Sequence, residues 1–182
     1  MTIHTRHHQL TIEDYLAFPE DGRKREIIEG ELFEEPMPPV IYHQRISKHI
    51  QFQLYMQLDK TGRGEVLDAP CGVRLTDRDV VEPDLLALAA ASLGRVKEKI
   101  VDGPPELVVE ILSPGSVHHD RVRKAALYAR VGVPEYWIVS PEERLLEQHV
   151  LTEGHYVLAG RHADRVRCQS LPGVEVDLTQ VW

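Results

Sequence analysis

Hydrophobic residues follow two different spacings along this chain. Between residues 41 and 58 they recur every four positions, at Ile46, Ile50, Leu54 and Leu58. This spacing predicts a long amphipathic helix with one apolar face. Shorter apolar runs occupy much of the remaining sequence and are separated by Pro and Gly residues, which is typical of a protein with many short strands.

Three of the apolar runs predict strands of a buried sheet. They are VVEPDLLAL from residue 80, ELVVEIL from residue 106 and EYWIVS from residue 135. In ELVVEIL the apolar residues occupy both alternating faces, which indicates a strand that is covered on both sides. Pro83 removes a backbone donor from the first run, so we expect a bulge, a strand end or a sheet edge directly before Asp84.

Capping and turn signals predict the outer elements. Thr11, followed by acidic residues, predicts the start of a helix. The segment REIIEGELFEE predicts a hairpin that turns at Glu29 and Gly30, and Asp120 predicts the N-cap of a helix that runs to about Val131. This order of elements indicates an α/β or α+β fold, in which helices flank a central mixed sheet, with an N-terminal hairpin and C-terminal antiparallel strands added.

Length and composition are those of an ordinary globular protein. A chain of 182 residues falls within the size range of one domain, and we expect a single domain over residues 1–182. Cys71 and Cys168 have no CxxC spacing, so neither a zinc site nor a disulfide framework is predicted. The first residues lack the apolar core of a signal peptide and the longest apolar run is too short to span a bilayer, so we expect a cytoplasmic protein without a membrane segment.

The formal net charge of −8 argues against a protein that coats nucleic acid with a uniformly basic surface. Basic residues nevertheless cluster locally, at Arg121, Arg123, Lys124 and Arg130. They are compatible with phosphate contacts, whereas a solvated helix face is the simpler interpretation. Two histidine pairs, His7–His8 and His118–His119, lack a third ligand at a suitable spacing, and we expect them to be surface residues.

Two acidic residues are embedded in the predicted buried strands. Glu110 shares its face of ELVVEIL with Val108 and Leu112, where an ionised carboxylate is costly unless a cation or hydrogen-bond donors compensate it. A divalent metal ion would do so, and so would an arginine or a lysine at the solvated end of the strand. Asp84 lies in a second apolar run, and two carboxylates from neighbouring strands supply the hard oxygen ligands that suit Mg²⁺ or Mn²⁺.

Lys124 is the third candidate. It shares a helical stripe with Leu127, Tyr128 and Val131, so it continues an apolar side of the helix. Either its methylenes pack there while its ammonium group extends to solvent, or the ammonium group reaches the two acids and stabilises charge on a phosphate. Two acids and a lysine beside a metal ion are typical of a phosphodiester hydrolase.

These segments resemble a known family. VVEPDLLAL, PPELVVEILSPGS, DRVRKAALYARVGVPEYWIVSP and LPGVEVDL occur in the order seen in the Uma-two family of restriction-endonuclease-like proteins, and the similarity extends from EIIEGEL to the C-terminal tail. That family is assigned to the PD-(D/E)XK nuclease superfamily. The resemblance implies a restriction-endonuclease-like fold and a Mg²⁺- or Mn²⁺-dependent endonuclease that hydrolyses DNA by metal-activated water. It also implies a homodimer.

The resemblance further assigns roles to individual residues. It implies that Asp84 and Glu110 are the catalytic acids and metal ligands, and that Ile111 adds its backbone carbonyl to the metal site. The position of the superfamily lysine is occupied here by Leu112. The resemblance implies that Lys124, on the following helix, replaces it as the catalytic lysine.

Two auxiliary residues follow from the same resemblance. Glu26 would be an additional acid, and His43 would contact a phosphate or a water molecule. For each of them, local hydrogen bonding or helix capping is an equally good interpretation.

Two other functions remain open at this point. One is a nuclease-like module without catalytic activity that binds nucleic acid or a protein partner, which the Leu112 substitution and the negative net charge favour. The other is a metal-dependent hydrolase that acts on a different phosphate substrate.

Overall fold

The computed structural model describes residues 9–19, 21–34 and 41–182. The helices are α1 Ile12–Leu16, α2 Ile41–Gln57 and α3 Ala125–Val131, and a π-helical turn, His119–Lys124, leads directly into α3. The strands are β1 Arg25–Ile28, β2 Glu31–Glu34, β3 Gly64–Asp68, β4 Val73–Thr76, β5 Asp79–Val81, β6 Leu85–Ala89, β7 Val101–Asp102, β8 Leu107–Ile111, β9 Glu135–Ser140, β10 Leu145–Thr152, β11 His155–His162, β12 Arg165–Arg167 and β13 Glu175–Asp177.

A six-stranded mixed sheet lies at the centre of the fold. Its strand order is β11-β10-β9-β8-β6-β3, and β8 and β9 form its parallel pair while the other neighbours are antiparallel. All residues of β8 are buried, because it has a neighbouring strand on each side and is covered on both faces. The structure thus confirms the interpretation of ELVVEIL.

Two layers cover this sheet. On one face lie α2 and the C-terminal segment, and the α2 residues Ile46, Ile50 and Leu54 are completely buried there. On the other face lie α3 and a second sheet with the order β2-β1-β5-β4-β7. The predicted amphipathic helix is therefore confirmed, and its apolar spacing marks the side that packs on the central sheet.

The N-terminal hairpin is also as predicted. Strands β1 and β2 pair with Ile28 opposite Glu31, and Glu29 and Gly30 both have positive φ, 55° and 79°. Two consecutive positive φ angles are those of a tight hairpin turn, and the second of them falls on a glycine. Strands β12 and β13 form the C-terminal antiparallel pair, so the mixed α/β fold class is confirmed.

The run VVEPDLLAL is divided between the two sheets. Strand β5 ends at Val81 and belongs to the five-stranded sheet, whereas β6 begins at Leu85 and belongs to the central sheet. Pro83 lies between them, which confirms the predicted strand end. Asp84 therefore lies at the point where the chain crosses from one sheet to the other.

Asp120 does not cap the last helix, and this prediction was wrong. The backbone N–H of Asp120 already donates to the carbonyl of Ser116 at 2.9 Å, so helical hydrogen bonding begins a turn earlier. The N–H of Ala125 then donates to the carbonyl of Asp120, five residues before it, which is the π-helical pattern often found at functional sites. The Asp120 side chain is buried 3.6 Å from Lys124 Nζ, a tertiary position that the capping signal does not reveal.

No helix within the described ranges is both long enough and apolar enough to cross a membrane.

Candidate active site

The register of two central strands brings Asp84 beside Glu110. Leu85 in β6 lies opposite Val109 in β8, so the residue before Leu85 faces the residue after Val109. The backbone N–H of Ile111 donates to Asp84 Oδ2 at 2.8 Å, which fixes the Asp84 carboxylate against the end of β8.

Asp84 is held as a carboxylate by its neighbours. Lys24 Nζ lies 3.2 Å from Oδ1, and His43 Nε2 lies 3.1 Å from Oδ2. Burial alone would raise the pKa of Asp84, but Lys24 and His43 outweigh burial and lower the pKa below its usual range. Asp84 is therefore ionised at any pH at which the protein would function.

Glu110 is more deeply buried and less well compensated. Only 1% of its surface is exposed, and its Oε1 accepts hydrogen bonds from Lys124 Nζ at 2.9 Å and from the Tyr128 hydroxyl at 2.8 Å. Oε2 accepts no hydrogen bond from any residue that the structure describes. Burial raises the pKa of Glu110 to about 8, so a further cation beside this carboxyl group would stabilise its ionised form.

Lys124 lies at the centre of a group of acids. Its side chain is fully buried, and its Nζ lies 2.8 Å from Glu26 Oε1, 2.9 Å from Glu110 Oε1 and 3.6 Å from Asp120 Oδ1. Burial alone would lower the pKa of Lys124, but Glu110 and Glu26 raise it well above its usual value. Lys124 is therefore a permanent ammonium ion, and the π-helical turn places it there.

Lys124 contacts only one of the two acids that it was predicted to reach. Lys124 pairs with Glu110 but forms no ion pair with Asp84, whose ammonium partner is Lys24. The physical reason is the direction of approach, because Lys124 comes from the helix that leads into α3 whereas Lys24 directly precedes β1. The extended interpretation, in which the Lys124 ammonium group reaches solvent, is excluded by its burial.

Glu26 joins the same network from strand β1. Its Oε1 accepts the backbone N–H of Glu82 at 2.9 Å, and His119 Nε2 lies 2.9 Å from Oε2. Burial alone would raise the pKa of Glu26, but Lys124 and His119 outweigh it and lower the pKa to about 2. The structure thus brings both auxiliary residues to the site, Glu26 through Lys124 and His43 through Asp84.

Sequence reasoning missed two members of the site. Lys24 could have been found, because it lies two residues before Glu26, and alternate residues of an extended segment share a face. His119 was expected at the surface, but it is half-buried and contacts Glu26, so that prediction was wrong. Its neighbour His118 is exposed as expected, while the His7–His8 pair lies outside the described residues.

The charges of this network suit a divalent ion. Four buried carboxyl groups, those of Glu26, Asp84, Glu110 and Asp120, surround the ammonium groups of Lys24 and Lys124. The four acids outnumber the two lysines in this network. Burial is the main cause of the raised pKa of Glu110, and the neighbouring Asp120 and Asp84 raise it further.

The carboxylates of this site suit Mg²⁺ better than a metal ion that takes all its ligands from the protein. Within residues 9–19, 21–34 and 41–182, no three or more His, Cys, Asp or Glu side chains are grouped so that they could hold a metal ion by themselves. Mg²⁺ usually binds through one or two carboxylates and keeps several water molecules, whereas structural Zn²⁺ takes four protein ligands. Two adjacent carboxylates are therefore sufficient for Mg²⁺.

A cavity of about 330 Å³ connects the site to the surface. The residues that line it are His43, Gln44, Ser47, Lys48, Gln51, Asp68, Ala69 and Asp84. Asp84 and His43 belong to the acidic network, and the other α2 residues lie along one side of the helix. A ligand at the surface can therefore approach Asp84 along α2.

The three arginines of the basic cluster near α3 contact other residues of the protein. Arg121 pairs with Glu147, and Arg130 pairs with Glu29 and Asp79. The guanidinium group of Arg123 lies 4.8 Å from the centre of the Phe33 ring. These intramolecular contacts favour the simpler interpretation of the cluster, a helix face, over a phosphate site.

The fold and the family define the class of protein. The structure aligns with the crystal structure of a putative nuclease belonging to DUF820 from Anabaena variabilis ATCC 29413, with a TM-score of 0.76 and 16% sequence identity over 94% of this chain and 97% of that one. This likeness shows a nuclease-like fold. The chain belongs to the Uma2 family, described as "Putative restriction endonuclease", which it matches over residues 12–179. A comparison with curated proteins finds no significant match.

Proposed function

We propose that this protein is a Mg²⁺-dependent DNA endonuclease that hydrolyses phosphodiester bonds. The observation that supports it most strongly is the position of Asp84 and Glu110 directly beside the paired residues Leu85 and Val109, in a network where acids outnumber lysines. The restriction-endonuclease family and the nuclease-like fold agree with a nuclease. Mn²⁺ has the same ligand preference and should substitute for Mg²⁺.

Asp84 and Glu110 are the proposed metal ligands, and the backbone carbonyl of Ile111 is a third. The N–H of Ile111 holds Asp84 Oδ2 in place. Lys124 and Tyr128 occupy Oε1 of Glu110, so Oε2 is the oxygen that would bind the ion. When bound, Mg²⁺ would polarise a phosphoryl oxygen and lower the pKa of a water molecule.

The two lysines have different proposed roles. Lys124 is fully buried, so it acts on Glu110 and Glu26 by fixing their positions and offsetting their charge. The Lys24 side chain is 17% exposed beside Asp84, where an ammonium group can contact a phosphate oxygen and stabilise the charge that develops on it. His43 lines the cavity next to Asp84 and would contact a phosphate or a water molecule.

The direct test is a cleavage assay with purified protein on supercoiled and single-stranded circular DNA. We expect cleavage with Mg²⁺ or Mn²⁺ and none with EDTA. Asp84→Asn and Glu110→Gln should each reduce the rate by at least about 100-fold, because each removes a ligand charge. Asp102→Asn changes a surface aspartate paired with Arg74, and this control should cleave at the wild-type rate.

Two outcomes would contradict the proposal. A folded wild-type protein that cleaves neither DNA with either metal would favour the non-catalytic binding module. Cleavage that persists in Asp84→Asn and Glu110→Gln would place the chemistry elsewhere.

A homodimer is a separate part of the proposal, because two copies are needed to cut both strands at once. Sedimentation at several protein concentrations tests it, and a monomer at all of them would contradict the dimer without affecting the proposed chemistry.

A further inference from the structure

Helix α2 has a composition unlike that of the rest of the chain. Its 17 residues, Ile41–Gln57, contain Arg45 and Lys48 but no Asp or Glu. With histidines neutral, the helix has two net positive charges in a protein whose formal net charge is −8. A local positive segment on an acidic protein is a site where a polyanion can bind.

A groove runs along this helix from the candidate active site. Lys48 and Gln51 are among the residues that line the cavity at Asp84, and the same two residues line a second cavity of about 230 Å³. Phe52 and Tyr55 complete the second cavity. Because they share two lining residues, the cavities are adjacent, and together they define a groove along α2 between Asp84 and Tyr55.

Two aromatic side chains are exposed in this groove, and Lys60 Nζ lies 5.4 Å from the centre of the Tyr55 ring. Phe52 is 62% exposed and Tyr55 is 37% exposed, and they are three residues apart on the helix, so they lie on the same side of it. The side of α2 that packs into the core is formed by Ile46, Ile50 and Leu54 instead. Phe52 and Tyr55 thus remain exposed on a face that the core does not use.

We propose that this groove binds a single-stranded segment of the DNA substrate. Phe52 and Tyr55 would stack on unpaired bases, and Lys48 would contact the backbone phosphates. Exposed aromatic rings beside a basic residue are typical of sites for single strands, because the faces of the bases are accessible there and are hidden in a duplex. The acids Asp68 and Asp84 line only the cavity at the candidate active site, whereas Lys48 is the charged residue that lines both cavities. That the strand is then delivered to Asp84 for cleavage rests on the proposed function, whereas its binding does not.

The length of the groove agrees with this ligand. From His43 to Tyr55 the helix rises about 18 Å at 1.5 Å per residue. That is the length of about five stacked nucleotides at 3.4 Å each. A second copy of the chain is a less suitable occupant, because a two-fold interface would place two positive helices against each other.

Binding is tested by fluorescence anisotropy in EDTA with labelled oligodeoxythymidine of about 12 nucleotides and with a duplex of equal length. We expect tighter binding of the single strand. Phe52→Ala and Tyr55→Ala should each weaken it by about 5- to 150-fold, the value of one stacked base. Lys48→Gln should reduce the slope of log affinity against log salt by about 1. Leu158→Ala removes a similarly exposed apolar side chain on β11, and this control should bind as wild type.

Several results would overturn the inference. They are equal or tighter binding of the duplex, tighter binding of the corresponding RNA, or unchanged affinity in Phe52→Ala and Tyr55→Ala. A change of oligomeric state in those variants at unchanged affinity would instead identify an interface between copies. Because the assay contains no metal, its outcome is independent of cleavage: single-strand binding by a protein that never cleaves would contradict the proposed function alone.

Discussion

Lys124 carries a buried positive charge that three acids stabilise. Removing an ammonium group from such a network leaves the carboxylates uncompensated, and breaking a buried ion pair costs more than the pair contributes. Glu26, Glu110 and Asp120 would all lose their contact with Lys124. The side chain is therefore important for folding as well as for the proposed chemistry.

We predict that Lys124→Met lowers the free energy of unfolding by about 3–5 kcal/mol. The double variant Lys124→Met with Glu26→Gln should be less destabilised than the sum of its single variants, because the second change removes one uncompensated charge. Urea denaturation in EDTA measures both. Lys99→Met, at an exposed position, is the control, and a similar loss there would contradict the network.

Glu110 gives the protein a pH dependence of defined sign. Its folded-state pKa of about 8 lies above the ordinary value, so between about pH 4.5 and 8 the folded state binds more protons than the unfolded state. The contribution of Glu110 to stability is complete below that window and is lost as the pH rises through it. Lowered pKa values at Asp84 and Glu26 act in the opposite direction, but only as the pH falls below their ordinary values.

We predict that, in EDTA, wild-type stability falls relative to Glu110→Gln by up to about 1.4 kcal/mol per pH unit across this window. Denaturation curves at about pH 5 and about pH 7.5 measure the difference. If the free energy of unfolding changed equally with pH in the two proteins, folding would not raise the pKa of the Glu110 carboxyl group, and the prediction would be wrong.

Individual residues were predictable where the signal is local. Glu110 stands out as a charge inside an apolar strand, and Lys124 as a cation on an apolar helical stripe. Their contact depends on how α3 packs over the sheet, and the link between Lys24 and Asp84 joins residues 60 positions apart. Such pairings follow from tertiary structure and leave no local pattern.

At the scale of elements, helix α2 contacts two different parts of the fold. One face packs on the central sheet, and the Gln53 and Gln57 side chains bind the backbone of β13 on another side. Gln57 Nε2 donates to the carbonyl of Glu175 at 2.7 Å, and Gln57 Oε1 accepts the N–H of Glu175 at 2.9 Å. Gln53 makes the same pair of bonds with Asp177, so the two glutamines take the place of a neighbouring strand.

We predict that Gln57→Ala destabilises the protein by about 1–3 kcal/mol, because a backbone donor and acceptor lose their partner. The amide of Glu175 should exchange faster with solvent deuterium, which hydrogen-exchange measurements detect at that site. Gln44→Ala, on the same helix at an exposed position, should change neither quantity. Unchanged exchange at Glu175 would mean that β13 does not need the glutamine.

The elements themselves were largely predictable because their signals are strong. Strands β8 and β9, the β1–β2 hairpin and α2 follow from apolar periodicity and turn residues. The start of the last helix was mispredicted because Asp120 is a good N-cap residue that is used here as a buried partner of Lys124. The sequence pattern shows only that Pro83 interrupts the run. It therefore could not predict that β5 and β6 belong to different sheets.

For the whole molecule, the negative net charge and the site are connected. An acidic protein concentrates divalent cations near its surface, and its excess of carboxyl groups at Asp84 and Glu110 would be relieved by one such ion. Ion binding to the folded state alone stabilises that state by mass action.

We predict that saturating Mg²⁺ raises the melting temperature of the wild-type protein and leaves that of Asp84→Asn unchanged. At about 100 times the dissociation constant, the gain is about 2.7 kcal/mol. Scanning calorimetry with Mg²⁺ and with matched ionic strength from NaCl measures it. An equal rise in wild type and variant would indicate non-specific screening.

The most direct measurement is anomalous diffraction from crystals of the wild-type protein soaked in Mn²⁺. We predict a peak within about 2.5 Å of carboxylate oxygens of both Asp84 and Glu110, and no such peak in crystals of Glu110→Gln. A peak elsewhere, or none beside these two acids in fully soaked crystals, would contradict the metal site on which the proposed nuclease depends.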